Sequence, residues 1–170
     1  EINTENSDFD KEKKIYTGYI GSFLGGPIYV LNEPSTFTLT ISGAVNYRHF
    51  ILGHTTKDEF EMLRKSSAPF FDLEVWELGV LHSGPAWPIR NLSYDDLHEA
   101  AVLWEKISLI STQVRRQGIV FLYDCFVAAG GAVAFPGRFS VNCPFDWLGS
   151  ALNYDQFTER GAWGVIHEFN

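Results

Sequence analysis

The strongest constraint in this chain is a long capped helix that runs directly into a fully apolar strand. Ser93-x-x-Asp96 is a capping box, which predicts a helix over about 94–117, and Gly118 closes it. Leu97, Ala101, Trp104, Ile107 and Val114 fall on one face and form an apolar stripe. Arg115-Arg116 sits at the helix C-terminus, where cations offset the helix dipole. Ile119–Tyr123 follows as a continuous apolar run, short enough for a buried central strand. The chain must therefore bury one helix face and both faces of a strand.

The flanking segments extend the pattern. Residues 1–14 are polar and charged and read as a flexible lead-in to a domain over 15–170. Ile28–Leu31 reads as a short strand, and Phe37, Leu39 and Ile41 alternate with Thr36, Thr38, Thr40 and Ser42 as a half-buried one. Thr56-x-x-Glu59 caps a helix to about Lys65 with Phe60 and Leu63 facing inward, and Ala68-Pro69 follows its end. Val75–Leu81 reads as another strand. Phe135–Leu148, punctuated by Pro136-Gly137 and Pro144, reads as loop, and Thr158 is the expected cap of a last helix. Strands, helix, strand and helix in this order predict an α+β fold, a mixed sheet followed by a helical part.

Composition removes several functions. Aromatic residues are plentiful, with 14 Phe, 7 Tyr and 5 Trp, which suits a packed core and argues against disorder. A net charge of −8, with no basic cluster beyond the Arg doublet, speaks against nucleic acid and anionic membranes. No apolar run approaches a membrane-spanning length of about 18 residues. Residue 1 is Glu rather than Met, which implies a processed or cut N-terminus. Cys125 and Cys143 permit one disulfide without requiring it, and Asn91-Leu92-Ser93 is a glycosylation triplet that matters only outside the cell.

The chemistry is concentrated near residue 170. Gly161-Ala162-Trp163-Gly164-Val165-Ile166-His167-Glu168 places a His-Glu pair on an apolar, helix-like run. This is the first half of His-Glu-x-x-His, in which histidines four apart share a helix face and grip one Zn²⁺ while the Glu activates water. The second histidine would be residue 171, so the sequence ends inside the candidate helix. His98-Glu99 is an internal control: its i+4 residue is Val102, and it cannot make the clamp. His49, His54 and His82 lack ligand spacing and read as surface or loop residues. Gly130-Gly131 lacks the flanks of a phosphate loop, and no Gly-x-Ser-x-Gly elbow occurs. Asp124, after the buried strand, reads as a strand-end hydrogen-bonding group.

That run resembles the Gly-x-Trp-Gly-x-x-His-Glu entry to the active helix of the enhancin-like, mucin-targeting zinc metallopeptidases. Gly25-Gly26-Pro27-Ile28-Tyr29, Thr38–Ala44, Phe50–Thr56 and Ala68-Pro69-Phe70-Phe71-Asp72-Leu73-Glu74 are similar, in order and spacing, to further segments of that family. One departure is His82-Ser83-Gly84-Pro85, where the family usually has Val-Pro-Ser. The resemblance implies the N-terminal part of a gluzincin domain. His167 would be a zinc ligand, Glu168 the general base and Trp163 a substrate-stacking residue or a packing residue under the helix. The remaining ligands, a histidine at 171 and a downstream Glu, would come from the rest of the domain or a companion chain. That partner is also expected to cover Ala162, Val165, Ile166 and Phe169.

The implied reaction is zinc-dependent hydrolysis of a peptide bond in a glycoprotein, mucin-type O-glycoproteins included, at a secreted or cell-surface location. Two other classes compete: a non-catalytic binding or assembly module of the same fold, and a carbohydrate-binding sandwich that folds alone and needs no metal.

Overall fold

The computed structural model describes residues 7–10, 12, 15–19, 28, 38–47, 49–75, 79–111, 119–124, 131–134 and 140–169. Expectations for Tyr29–Leu31, Thr36-Phe37, Val114, Arg115-Arg116, Cys125 and Gly130 fall outside them. The chain divides into two compact units, Glu1–Leu39 and Thr40–Asn170. In the first, β1 (Ser7–Asp10) pairs antiparallel with β2 (Ile15–Gly18), a hairpin that straddles the expected end of the lead-in.

The second unit contains β3 (His49–Ile51), α1 (Lys57–Arg64), β4 (Phe70–Val75), β5 (Val80–Pro85), α2 (Tyr94–Ser111), β6 (Ile119–Asp124), β7 (Val133–Ala134), β8 (Ser140–Pro144), α3 (Trp147–Leu152), α4 (Tyr154–Arg160) and α5 (Trp163–Phe169). Its sheet has the order β3-β4-β5-β6-β8-β7. β3 and β4 run parallel, as do β5 with β6 and β6 with β8, whereas β4–β5 and β7–β8 are antiparallel. The fold is therefore α+β with a mixed sheet and a helical part after it, as the sequence predicts.

Both helix starts form as the sequence indicates. Thr56 and Glu59 complete a reciprocal capping box on α1, and Phe60 and Leu63 are buried. Ser93 Oγ accepts from the Asp96 amide at 3.1 Å, while the Asp96 carboxylate accepts from the Ser93 amide at 3.3 Å. Along α2, Leu97, Ala100, Ala101 and Trp104 are fully buried, and Trp104 Nε1 donates to the Ala151 carbonyl at 2.8 Å. That bond satisfies the one polar atom of a large buried ring.

Register then places the core. Leu73, His82, Phe121 and Val141 lie side by side across four strands, with Tyr123 and Cys143 in the next row. All six side chains are buried, and Trp104 packs at 5.9 Å centroid distance from Phe121. Apolar residues of β3, β4, β5, β6 and β8, met by the α2 stripe, account for most of the hydrophobic stabilisation.

Five readings need correction. Val75–Leu81 is not one strand: β4 ends at Val75, β5 begins at Val80, and Gly79 turns the chain at φ 64°. Described residues Thr38–Asn46 are exposed and belong to no strand, so alternation there did not signal a half-buried one. The stretch Phe135–Leu148 holds β8, whose Val141 and Cys143 alternate inward despite the surrounding prolines and glycine. Thr158 does not cap the last helix. It lies inside α4 and donates to the Tyr154 carbonyl at 3.0 Å, while Asn153 is the α4 cap. Finally, His82 is not a surface or loop residue but is fully buried in β5, because the pleat turns it toward α2.

Candidate active site

Helix α5 carries the His-Glu pair, and its position is set by three local features. Gly161 ends α4 at φ 71°, ψ 160°, a conformation nearly restricted to glycine. Its amide still reaches the Phe157 carbonyl at 2.9 Å, which closes α4 before the chain turns. Ala162 then plugs the core, and its carbonyl accepts from the Ile166 amide at 2.9 Å to start the next helix. Third, Gly164 lies flat against the indole of Trp147: a Cβ there would fall on Cη2 and Cζ3, closer than any real carbon–carbon contact.

The periodicity of α5 sorts its side chains. Ala162 and Val165 are buried, and Ile166 is partly buried against the core. Trp163 is 75% exposed and His167, four residues on, is exposed beside it. Their rings stack at 5.2 Å and 21°. Trp163 is thus not packed under the helix, which leaves its outer face open to solvent. The stack alone is no signature of chemistry, since Tyr94 and His98 make the same i,i+4 contact at 5.6 Å on α2.

Glu168 is half-buried and lies on the side of α5 toward the sheet end. The clearest sign is electrostatic. Burial and, second to it, the nearby Glu168 carboxylate push the Cys143 thiol up to about 12. Cys143 is a free, buried thiol. Beyond it, burial also drives the Tyr123 phenol well above its ordinary range. Sequence reasoning missed the pairing of Tyr123 with Cys143, because their proximity comes from strand register.

The donor set bears on whether a metal fits. A catalytic zinc takes about three protein ligands. Here an imidazole on an ordered helix projects outward, with a carboxylate next to it, and no group of three His, Cys, Asp or Glu converges among the described residues. His49 instead faces Glu74 at 3.4 Å on β3 and β4, and His82 is sealed in the core. These residues fit one half of a metal site, and position 171, where the motif would continue, lies outside the 170-residue sequence.

The geometry thus defines an α+β scaffold whose helix α5 packs against α2 and the core and carries a His-Glu pair with His167 outward. Residues 43–170 match the family of Peptidase M60, enhancin and enhancin-like, and the chain belongs to that family. It is 32% identical over 162 residues to "Antigenic protein P1" of Entamoeba histolytica, covering 89% of this chain and 14% of that protein. It is 30% identical over 163 residues to "Antigenic protein NP1" of the same organism, covering 89% of this chain and 24% of that one. The chain thus spans under a quarter of the length of these relatives. Among solved structures, a metallopeptidase from Bacteroides thetaiotaomicron shares the fold, with a TM-score of 0.52 and 17% identity over 69% of this chain and 21% of that one.

Proposed function

We propose that this chain is the N-terminal part of a zinc-dependent endopeptidase domain acting on glycoproteins, mucin-type O-glycoproteins among them, at a secreted or cell-surface location. The observation that carries the reading is α5 itself: the His-Glu half of the zinc motif sits on a helix anchored to the core, with His167 outward. His167 would hold zinc through a neutral imidazole, and the other ligands would come from the remainder of the domain or from a companion chain. Bound zinc supplies Lewis acidity, bringing the pKa of water to about 7. Glu168 would take the proton from that water and hand it to the leaving amine. The open face of Trp163 offers a stacking surface for a sugar ring or peptide of the substrate. No described helix is long and apolar enough to cross a membrane.

The test uses a protein extended beyond residue 170. Glu168→Gln should abolish hydrolysis of a glycoprotein substrate yet keep stoichiometric zinc, because the residue is a base and not a ligand. His167→Ala should lose both metal and activity. Glu99→Gln, in the His-Glu pair that lacks the second histidine, should leave turnover near wild type. Full turnover by Glu168→Gln would end the catalytic reading. An extended protein that binds glycoprotein but no zinc would point to the non-catalytic module.

A further inference from the structure

His82 is the least expected group in the core, and nothing in the proposed chemistry uses it. The ring has no solvent exposure and lies between Phe121, stacked at 4.8 Å and 12°, and Trp104, at 4.4 Å. Its Nδ1 is 2.9 Å from the Tyr123 hydroxyl, while Nε2 has no hydrogen-bond partner among the described residues. A neutral imidazole tolerates this setting as a flat, nearly aromatic filler. An imidazolium would carry a second N–H with no acceptor and a charge with no counter-ion.

Among the described residues the surroundings supply no compensation. From β4 the cross-strand neighbour is Leu73, while Asp72 and Glu74 belong to the opposite face of that strand. From β6 come Phe121 and Tyr123, and from β8 Val141 and Cys143; the phenol and thiol are both held neutral by burial. From α2 come Trp104 and, one turn on, the buried Ser108, whose hydroxyl donates to the Trp104 carbonyl at 2.6 Å. On β5 itself the flanking residues of the same face are Val80 and Gly84. From α5, the Glu168 carboxylate acts on Cys143. Cation–π attraction from Trp104 offsets only part of the cost of an unpaired buried charge.

We propose that His82 is an acid-sensitive lock: neutral, it completes the packing between the sheet and α2, and protonated, it forces that interface open. This goes beyond the peptidase reading and stands or falls independently of it.

Burial lowers the His82 pKa to about 3 from an ordinary 6.5. The unfolded chain therefore binds the proton first as pH falls. Stability is whole above about pH 6.5 and is lost progressively below it, toward the folded pKa of about 3. A group titrating at 6.5 unfolded and about 3 folded lowers the folding equilibrium constant about 30-fold between about pH 8 and about pH 5.

The experiment is urea unfolding of the chain at those two pH values, wild type against His82→Gln, which keeps a neutral polar group toward Tyr123. Wild type should lose about 30-fold more in folding constant than the variant over that range. Equal pH dependence in the two proteins would overturn the proposal. Should His82→Gln not fold, the histidine ring resonances of the wild-type chain decide. The His82 ring should keep its neutral shift until the chain acid-unfolds, and a titration of that ring near 6.5 in the folded state would overturn the proposal.

Discussion

Gly164→Ala tests whether the glycine of the Trp-Gly pair exists for packing. Two effects oppose each other. Alanine is a better helix former by up to about 1 kcal/mol, less in the first turn where Gly164 lies. Against this, the added methyl would land on two ring carbons of Trp147. Overpacking of this kind costs about 1–3 kcal/mol, and Trp147 is only half-buried, so part of the strain can be relieved by ring movement. The expected balance is a loss of about 1–2 kcal/mol, or roughly 3–6 °C in Tm for a domain of this size. Thermal unfolding of Gly164→Ala, Trp147→Leu and the double variant forms the assay. A smaller residue at 147 should absorb the methyl, so the double variant should be more stable than the sum of the singles by about 1 kcal/mol. An unchanged or higher Tm for Gly164→Ala, with additive effects, would refute the packing argument. In an extended, active protein the same substitution should lower turnover, since displacing a reacting group by about 1 Å can cost about 100-fold.

Gly161→Ala should destabilise by about 1–3 kcal/mol through backbone strain alone. The nearest atom to an added Cβ is the Trp163 amide nitrogen at 3.9 Å, so crowding is not the cause. If denaturant melts show no loss, the positive φ is not required for the α4–α5 turn. Cys143, buried and raised to about 12, should resist thiol labelling in the native chain at about pH 8 and react once urea unfolds it. Rapid native labelling at that residue, read by peptide mass, would show that the core around Cys143 is open.

What the sequence settled by itself is local. Two capping boxes, at Thr56 and Ser93, fix helix starts because donor and acceptor lie three residues apart. The α2 stripe and the apolar run of β6 fix which surfaces must be covered, which is enough for α+β. The His167-Glu168 pair was equally legible, because helical spacing alone puts Trp163 and His167 on one face. Everything decided by contacts far apart in the chain had to wait for the tertiary structure. Gly79 breaks an apolar stretch into a hairpin because β4 and β5 pair with each other, and β8 forms inside a loop-like sequence because β6 offers it a parallel edge. His82 carries no sequence mark of burial. Only register sets it beside Leu73 and Phe121 and under Trp104, and that same register brings Cys143 beside Tyr123. Pattern along the chain reports which residues must leave water, whereas pairing across it chooses what each of them meets.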